Sequence, residues 1–286
     1  MTFSVFALKY MNMNLELVNG ETYDQPEEDT GTNALWIPGI QDCPEDREVF
    51  CDELSRSGIQ VSHPDSHYES FDTYPNKPEW IRHKIEVESE LIRDQGHTVL
   101  IATSFGTHRA PEIINMCPEL KSAILLSPPQ NTMDASKQVN DTGCKSPTHV
   151  MLRPLTWDMD DETFDPFLAR HEQQYEHQRN RMRKELRLLK DGPSFIELLA
   201  QCRRDIKLLV VQTPSDPWHV GEKFSHSNMK KASMQDTFHY PHVSKPKALC
   251  AIVDKWIDGA TMPNRNGTVP ETLRAKNPGI RSNTAN

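Results

Sequence analysis

Three stretches of this chain each set a chemically useful side chain just after a strand-like run. The first runs from His97 to Thr107: the apolar residues Val99 to Ala102 lead into the pattern Ala-Thr-Ser-Phe-Gly, with Ser104 at its centre. An unbroken apolar run of this kind suits a strand buried on both faces, and a helical segment begins at about Phe105. A serine in the turn between them sits above the sheet beside a helix N-terminus. There its hydroxyl is exposed for acyl chemistry, the next backbone N–H can face a developing oxyanion, and the helix dipole favours negative charge. The plainer alternative is an ordinary strand-to-helix turn. The second stretch, Lys207 to Asp216, reads as a buried strand ending in a Pro-containing turn whose Asp216 could orient a histidine. The third, Ser233 to His242, is a short strand-like piece ending in histidines, with His239 the candidate base and His242 its competitor. Asp236 and Asp205 are fallback acids, although neither follows a buried strand in the same way.

Serine, acid and histidine in this chain order, each at the C-terminal end of a strand, form one of the convergent triad arrangements. At this point the chain resembles the α/β-hydrolase superfamily. The likeness rests on Ala102 to Gly106 as nucleophile elbow, Pro214 to Pro217 as acid turn, Phe238 to His242 as histidine loop, and Trp36 to Ile40 as the turn after an early strand. It covers roughly residues 12 to 129 and 205 to 259. The resemblance implies Ser104 as nucleophile, His239 as general base and then acid, and Asp216 as the group that fixes its tautomer. It also implies an oxyanion hole from the backbone N–H groups of Ile40 and Phe105. Three departures stand out. Pro111 falls inside the elbow helix, where it removes a backbone hydrogen bond and predicts a kink or an early end. Pro38 stands where many relatives carry a histidine, and the first elbow glycine is replaced by Ala102.

The elements that must position these groups alternate along the chain. Strands are expected near 14–18, 34–38, 58–62, 98–103, 122–127, 206–212 and 234–238. Helices are expected over 44–57, with Phe50 and Leu54, over 78–95, with Ile81, Ile85, Leu91 and Ile92 at helical spacing, and after the histidine loop, with Leu249, Ile252, Val253, Trp256 and Ile257 on one face. This is an α/β pattern: a mostly parallel sheet with helices on both faces. The core is assigned to residues 1–129 and 205–260. Residues 130–204 break the alternation, carry helical segments near 161–172, 176–189 and 193–201, and read as a helical lid insert. Phe164, Phe167, Leu168, Phe195, Ile196 and Leu199 are its candidate substrate-pocket residues. The alternative for each is simple packing of lid onto core. Residues 261–286 turn polar and read as a mobile tail.

In the insert, Asp158, Asp160, Asp161, Glu162 and Asp165 precede a basic helix with His177, Arg179, Arg181, Arg183, Lys184, Arg187 and Lys190. An anionic or carrier-bound acyl substrate could use that helix, while a solvated face paired with the nearby acids is the plainer account. A net charge of −9 disfavours nucleic acid as a partner. No segment is long enough for a membrane span. The six cysteines, Cys43, Cys51, Cys117, Cys144, Cys202 and Cys250, show no Cys-x-x-Cys spacing, so reduced thiols and a cytoplasmic location are expected. The sequons at Asn140 and Asn266 are then idle. His63 and His67 have metal-ligand spacing, but Pro64 makes their segment a loop, and neither a metal nor a cofactor is expected.

At 286 residues the chain is long enough for one catalytic domain. The reading reached is a serine hydrolase of small or medium esters, thioesters or lactones, an esterase or thioesterase acting through an acyl-enzyme on a small-molecule substrate. Acyl transfer, cyclisation, C–C cleavage or lyase chemistry on the same three residues stays open. So does a non-catalytic ligand-binding protein with this fold.

Overall fold

The computed structural model describes residues 32–40, 42–64, 77–129, 152–173, 192–220 and 224–257. All of them fall within one compact unit, Gly31–Asn286. The strand near 14–18, the basic helix of 176–189 and the tail 261–286 lie outside the described residues.

Among the described residues six parallel strands form one sheet: β1 (Thr32–Ile37), β2 (Ile59–Ser62), β3 (Val99–Thr103), β4 (Ser122–Leu126), β5 (Lys207–Gln212) and β6 (Met229–Ser233), in the order β2-β1-β3-β4-β5-β6. The described helices are α1 (Pro44–Arg56), α2 (Lys77–Gln95), α3 (Gly106–Met116), α4 (over 161–173), α5 (Phe195–Ala200), α6 (Pro241–Ser244) and α7 (Pro246–Ile257).

The central strands read as continuous apolar runs because both faces are covered, and their side chains divide between two cores with the period of two that a strand imposes. Leu35, Ile37, Leu100, Ala102, Ala123, Leu125, Leu208 and Val210 meet Ile85, Leu91 and Ile92 of α2, Ile113 and Ile114 of α3, and Phe195 and Leu199 of α5. The intervening residues Ala34, Trp36, Val99, Ile101, Ile124, Leu126, Leu209 and Val211 meet Phe50 and Leu54 of α1 and Leu249, Ile252 and Val253 of α7. A one-residue register slip in β3 would exchange these two sets, so the pairing of Ala34 with Val99 and of Val99 with Ser122 is strongly specified.

Two local expectations are corrected. The last strand is Met229–Ser233, and residues 234–238 form a turn and loop after it. At the edge of the sheet among the described residues, where it pairs with β5, β6 exposes Lys230 and Lys231 and lacks the apolar run by which the inner strands are read. The elbow helix is also not broken at Pro111: α3 continues five residues beyond it, to Met116. A single lost N–H bond is outweighed there by the burial of Ala110, Ile113 and Ile114 against the sheet.

The chain order of the sheet reverses between β1 and β3. The helix after β1 packs on one face and the helix after β3 on the other. Their connections therefore diverge at the carboxyl ends of adjacent strands, leaving the crevice in which open α/β sheets receive ligands.

Candidate active site

Ser104 occupies that crevice. Its φ of 48° lies in the left-handed region, a conformation that costs a non-glycine residue about 1–3 kcal/mol and persists only where neighbours over-determine it. Those neighbours are present. The Ser104 N–H donates to the Leu126 carbonyl at 2.9 Å, and the Thr107 hydroxyl and N–H donate back to the Ser104 carbonyl at 2.6 and 3.0 Å.

Two glycines make the tight approach possible. A Cβ on Gly106 would stand 2.5 Å from the Ile37 carbonyl oxygen and 2.9 Å from that of Pro38. One on Gly39 would stand 2.9 Å from the Ser104 Cβ. The loop after β1 is thus pressed against the elbow, and Ile40 at its end shares a cavity wall with Phe105, the residue that caps α3. The chain meets the steric demand of the elbow with Gly106 and Gly39, so Ala102 can stay in the fully buried strand β3.

The turn after β5 positions Asp216. Its N–H donates to the Thr213 carbonyl at 2.9 Å, and its Oδ1 accepts the Trp218 N–H at 2.8 Å. The other oxygen, Oδ2, accepts from His239 Nδ1 at 2.6 Å, and His239 Nε2 accepts the Ser104 hydroxyl proton at 2.7 Å. The carboxylate can only accept, which puts the imidazole proton on Nδ1 and leaves Nε2 basic toward serine. His239 is anchored by its N–H to the Leu155 carbonyl at 2.9 Å. Its ring packs edge-on between Trp218 and Tyr240, at centroid distances of 5.0 and 5.1 Å. All three members of the chain are at most 6% exposed.

His242 is held elsewhere. It lies in α6, fully buried, with its ring 5.3 Å from Trp36 and no partner for either nitrogen among the described residues. Burial pushes its pKa down to about 3, only partly opposed by Asp46. Of the fallback acids, Asp236 sits in the turn after β6 at φ 53°, and Asp205 is exposed beside Arg203.

Arg109, one turn into α3, was not marked by the sequence. It donates through Nη2 to the Pro38 carbonyl at 3.1 Å and through Nε and Nη2 to the fully buried Glu88 carboxylate at 2.8 to 3.2 Å. One guanidinium therefore ties α2, α3 and the loop after β1 together. A second buried polar group surrounds the start of α1. Asp46 accepts from Arg170 and His171 of α4, and Asp42 accepts from Trp36 at 2.6 Å and Arg47 at 3.0 Å. Desolvation lifts Asp42 to about 6 against the pull of Arg47, whereas the bonds from His171 and Arg170 hold Asp46 below the usual carboxylate range despite its burial. Cys43, Asp46 and His171 bring a thiol, a carboxylate and an imidazole within 4.8 Å. Arg170 shares the same carboxylate, so the group ties α4 to the start of α1.

A cavity of about 200 Å³ opens next to the elbow and includes Ile40 and Phe105 in its wall. None of Phe164, Phe167, Leu168, Phe195, Ile196 and Leu199 lines it. Phe164 and Phe167 form a small core with Leu152, Leu155, Met159 and Tyr240, with Leu168 packed on its edge. Phe195 and Leu199 fill the main core, and Ile196 packs against it. From α5 it is Leu198 that reaches the cavity.

No protein-family model and no curated protein sequence matches the chain. Solved structures do. MenH from S. aureus superimposes with a TM-score of 0.57 at 13% identity, over 80% of this chain and 94% of its own. The serine hydrolase CCSP0084 from Cycloclasticus zankles gives 0.54 at 14% identity, over 80% and 90%. An extracellular α/β-hydrolase from a Paenibacillus species gives 0.51 at 11% identity, over 78% and 98%. The chain has the α/β-hydrolase fold. At these identities the likeness carries the fold alone, and the chemistry must be argued from the side chains. No helix among the described residues is long and apolar enough to cross a membrane.

Proposed function

We propose that this protein is a serine hydrolase that cleaves a small or medium ester, thioester or lactone through an acyl-enzyme. The observation that carries the reading is the unbroken, buried hydrogen-bond chain Ser104–His239–Asp216, with the serine in a left-handed elbow. Ser104 Oγ attacks the substrate carbonyl as its proton passes to His239 Nε2, and Asp216 stabilises the resulting imidazolium through Nδ1. The Ile40 and Phe105 N–H groups receive the negative charge on the former carbonyl oxygen. Collapse expels the alcohol or thiol, which takes the proton from His239. Water then repeats the sequence and releases the acid. A solved neighbour described as a serine hydrolase agrees with this reading. The assembled triad also weighs against a binding-only protein, which would have no need to hold a serine in a strained turn. The test is steady-state turnover of p-nitrophenyl and thioester substrates by the wild type, Ser104→Ala and His239→Ala. Turnover by the wild type with a loss of at least about 10³-fold in both variants supports the reading. Equal turnover in Ser104→Ala would sink it.

A further inference from the structure

The cavity next to the elbow has a definable role. Resting on the reading above, we infer that it is the acyl-side subsite, shaped for a neutral, apolar acyl group of about six to eight carbons or a single aromatic ring.

Its side is fixed by the two partners that the carbonyl must meet. The carbonyl oxygen points to the N–H groups of Ile40 and Phe105, and both residues belong to the cavity wall. The leaving group must reach His239 Nε2, the atom that returns its proton, and His239 stands between Trp218 and Tyr240. None of these three aromatic residues lines the cavity. Ser104 does not line it either, so the cavity meets the site at its oxyanion end, through Ile40 and Phe105, and a substituent lying in it is assigned to the acyl half of the substrate, retained on Ser104 after the first step.

Its chemistry follows from the lining. Ile40, Trp80, Ile81, Ile85, Phe105 and Leu198 supply apolar walls from the loop after β1, α2, the elbow and α5, and His108 of α3, held neutral by burial, adds one uncharged polar edge. The cations at its edge are engaged: the Arg109 guanidinium is spread over Glu88 and the Pro38 carbonyl, and the Lys84 ammonium lies 4.5 Å over the Trp80 ring. Glu112 on the same wall repels an anionic acyl tail. The volume of about 200 Å³ exceeds the roughly 150 Å³ that accepts benzene, so one ring or a short chain fits and a long chain does not.

The experiment is a p-nitrophenyl ester series from acetate to dodecanoate, with benzoate, read as kcat/KM. Each added methylene should raise it by up to about fourfold as far as hexanoate or octanoate, and decanoate and dodecanoate should fall at least about tenfold below that peak. Leu198 is half-buried on a short surface helix, so Leu198→Trp can fill the cavity without opening the core. It should lower the hexanoate-to-acetate ratio at least about tenfold. The enlarging variant Leu198→Ala should move the peak toward longer chains, which provides a second reading if the tryptophan variant does not fold. A rise that continues to dodecanoate, or a ratio unchanged in both Leu198 variants, overturns the assignment while leaving the serine hydrolase reading intact. Failure of the wild type to turn over any ester, with no covalent label on Ser104, sinks both.

Discussion

Replacing His242 by phenylalanine is expected to remove part of the acid sensitivity of the fold. Inside the protein the imidazole is fully buried, neither nitrogen has a partner among the described residues, and its pKa is pushed down to about 3 from the ordinary 6.5. In the unfolded chain it binds a proton near 6.5. Between these two values the unfolded state takes up more protons, so stability is lost as pH falls below 6.5, and the loss continues to about 3. At pH 5, about 1.5 below the ordinary value, the loss through this one residue is about 2 kcal/mol. His108, lowered to about 4, acts in the same direction. Asp42, raised to about 6, acts in the opposite one: it binds its proton more readily when folded and gains stability as pH falls through 6. Both groups remain in the variant, so comparing the two proteins isolates His242. Phenylalanine keeps an edge contact with Trp36 and removes two unpaired polar atoms, at a cost of about 1 kcal/mol if the larger ring overpacks. Urea unfolding at pH 8 and pH 5 should show the wild type losing about 2 kcal/mol more than His242→Phe between the two. Ester turnover at pH 8 should survive, because the serine meets His239. Identical pH dependence in the two proteins would refute the account of His242 as a buried neutral ring, and loss of turnover in a folded His242→Phe would give it a role at the serine.

Three further outcomes follow from the same geometry. In Gly106→Ala the new Cβ would fall about 0.9 Å short of the 3.4 Å of an ordinary contact with the Ile37 carbonyl; that displacement of the elbow should lower kcat/KM by about 10²-fold, as measured on the best ester. Asp216→Asn should lower kcat by up to about 10⁴-fold with a nearly unchanged melting temperature, because the amide supports the wrong imidazole tautomer. Arg109→Ala leaves Glu88 buried without that guanidinium and should destabilise the fold by about 3–5 kcal/mol in urea; Arg109→Lys should cost less, yet still lower kcat rather than raise KM, since one ammonium cannot hold both Glu88 and the loop that carries Ile40.

Much of this architecture is legible in the residues because the central strands are covered on both faces. Ala34 to Ile37, Val99 to Ala102 and Leu208 to Val211 are apolar without interruption, and the groups at their ends inherit their positions from those runs. The chain order of serine, aspartate and histidine is therefore readable from the residues themselves. The edge strand β6 is not legible, because Lys230 and Lys231 are exposed and carry no apolar signal. The length of the helix through Pro111 is not legible either, because tertiary burial overrides a single missing N–H. Phe195 and Leu199 look like pocket residues in a lid, yet the 3.6-residue period turns them into the core and presents Leu198 to the cavity, and nothing local in the sequence sets that phase. The Glu88–Arg109–Pro38 link joins residues up to 71 positions apart, so no local pattern could have marked it.

The central claim is that Ser104 is an activated nucleophile. Intact-mass measurement after treatment with a fluorophosphonate, followed by mapping of the modified peptide, tests it most directly. The account predicts a single adduct on Ser104 that forms in the wild type, is absent from Ser104→Ala and is strongly slowed in His239→Ala. A folded wild-type protein that stays unmodified, or an adduct carried by a different residue, would contradict it.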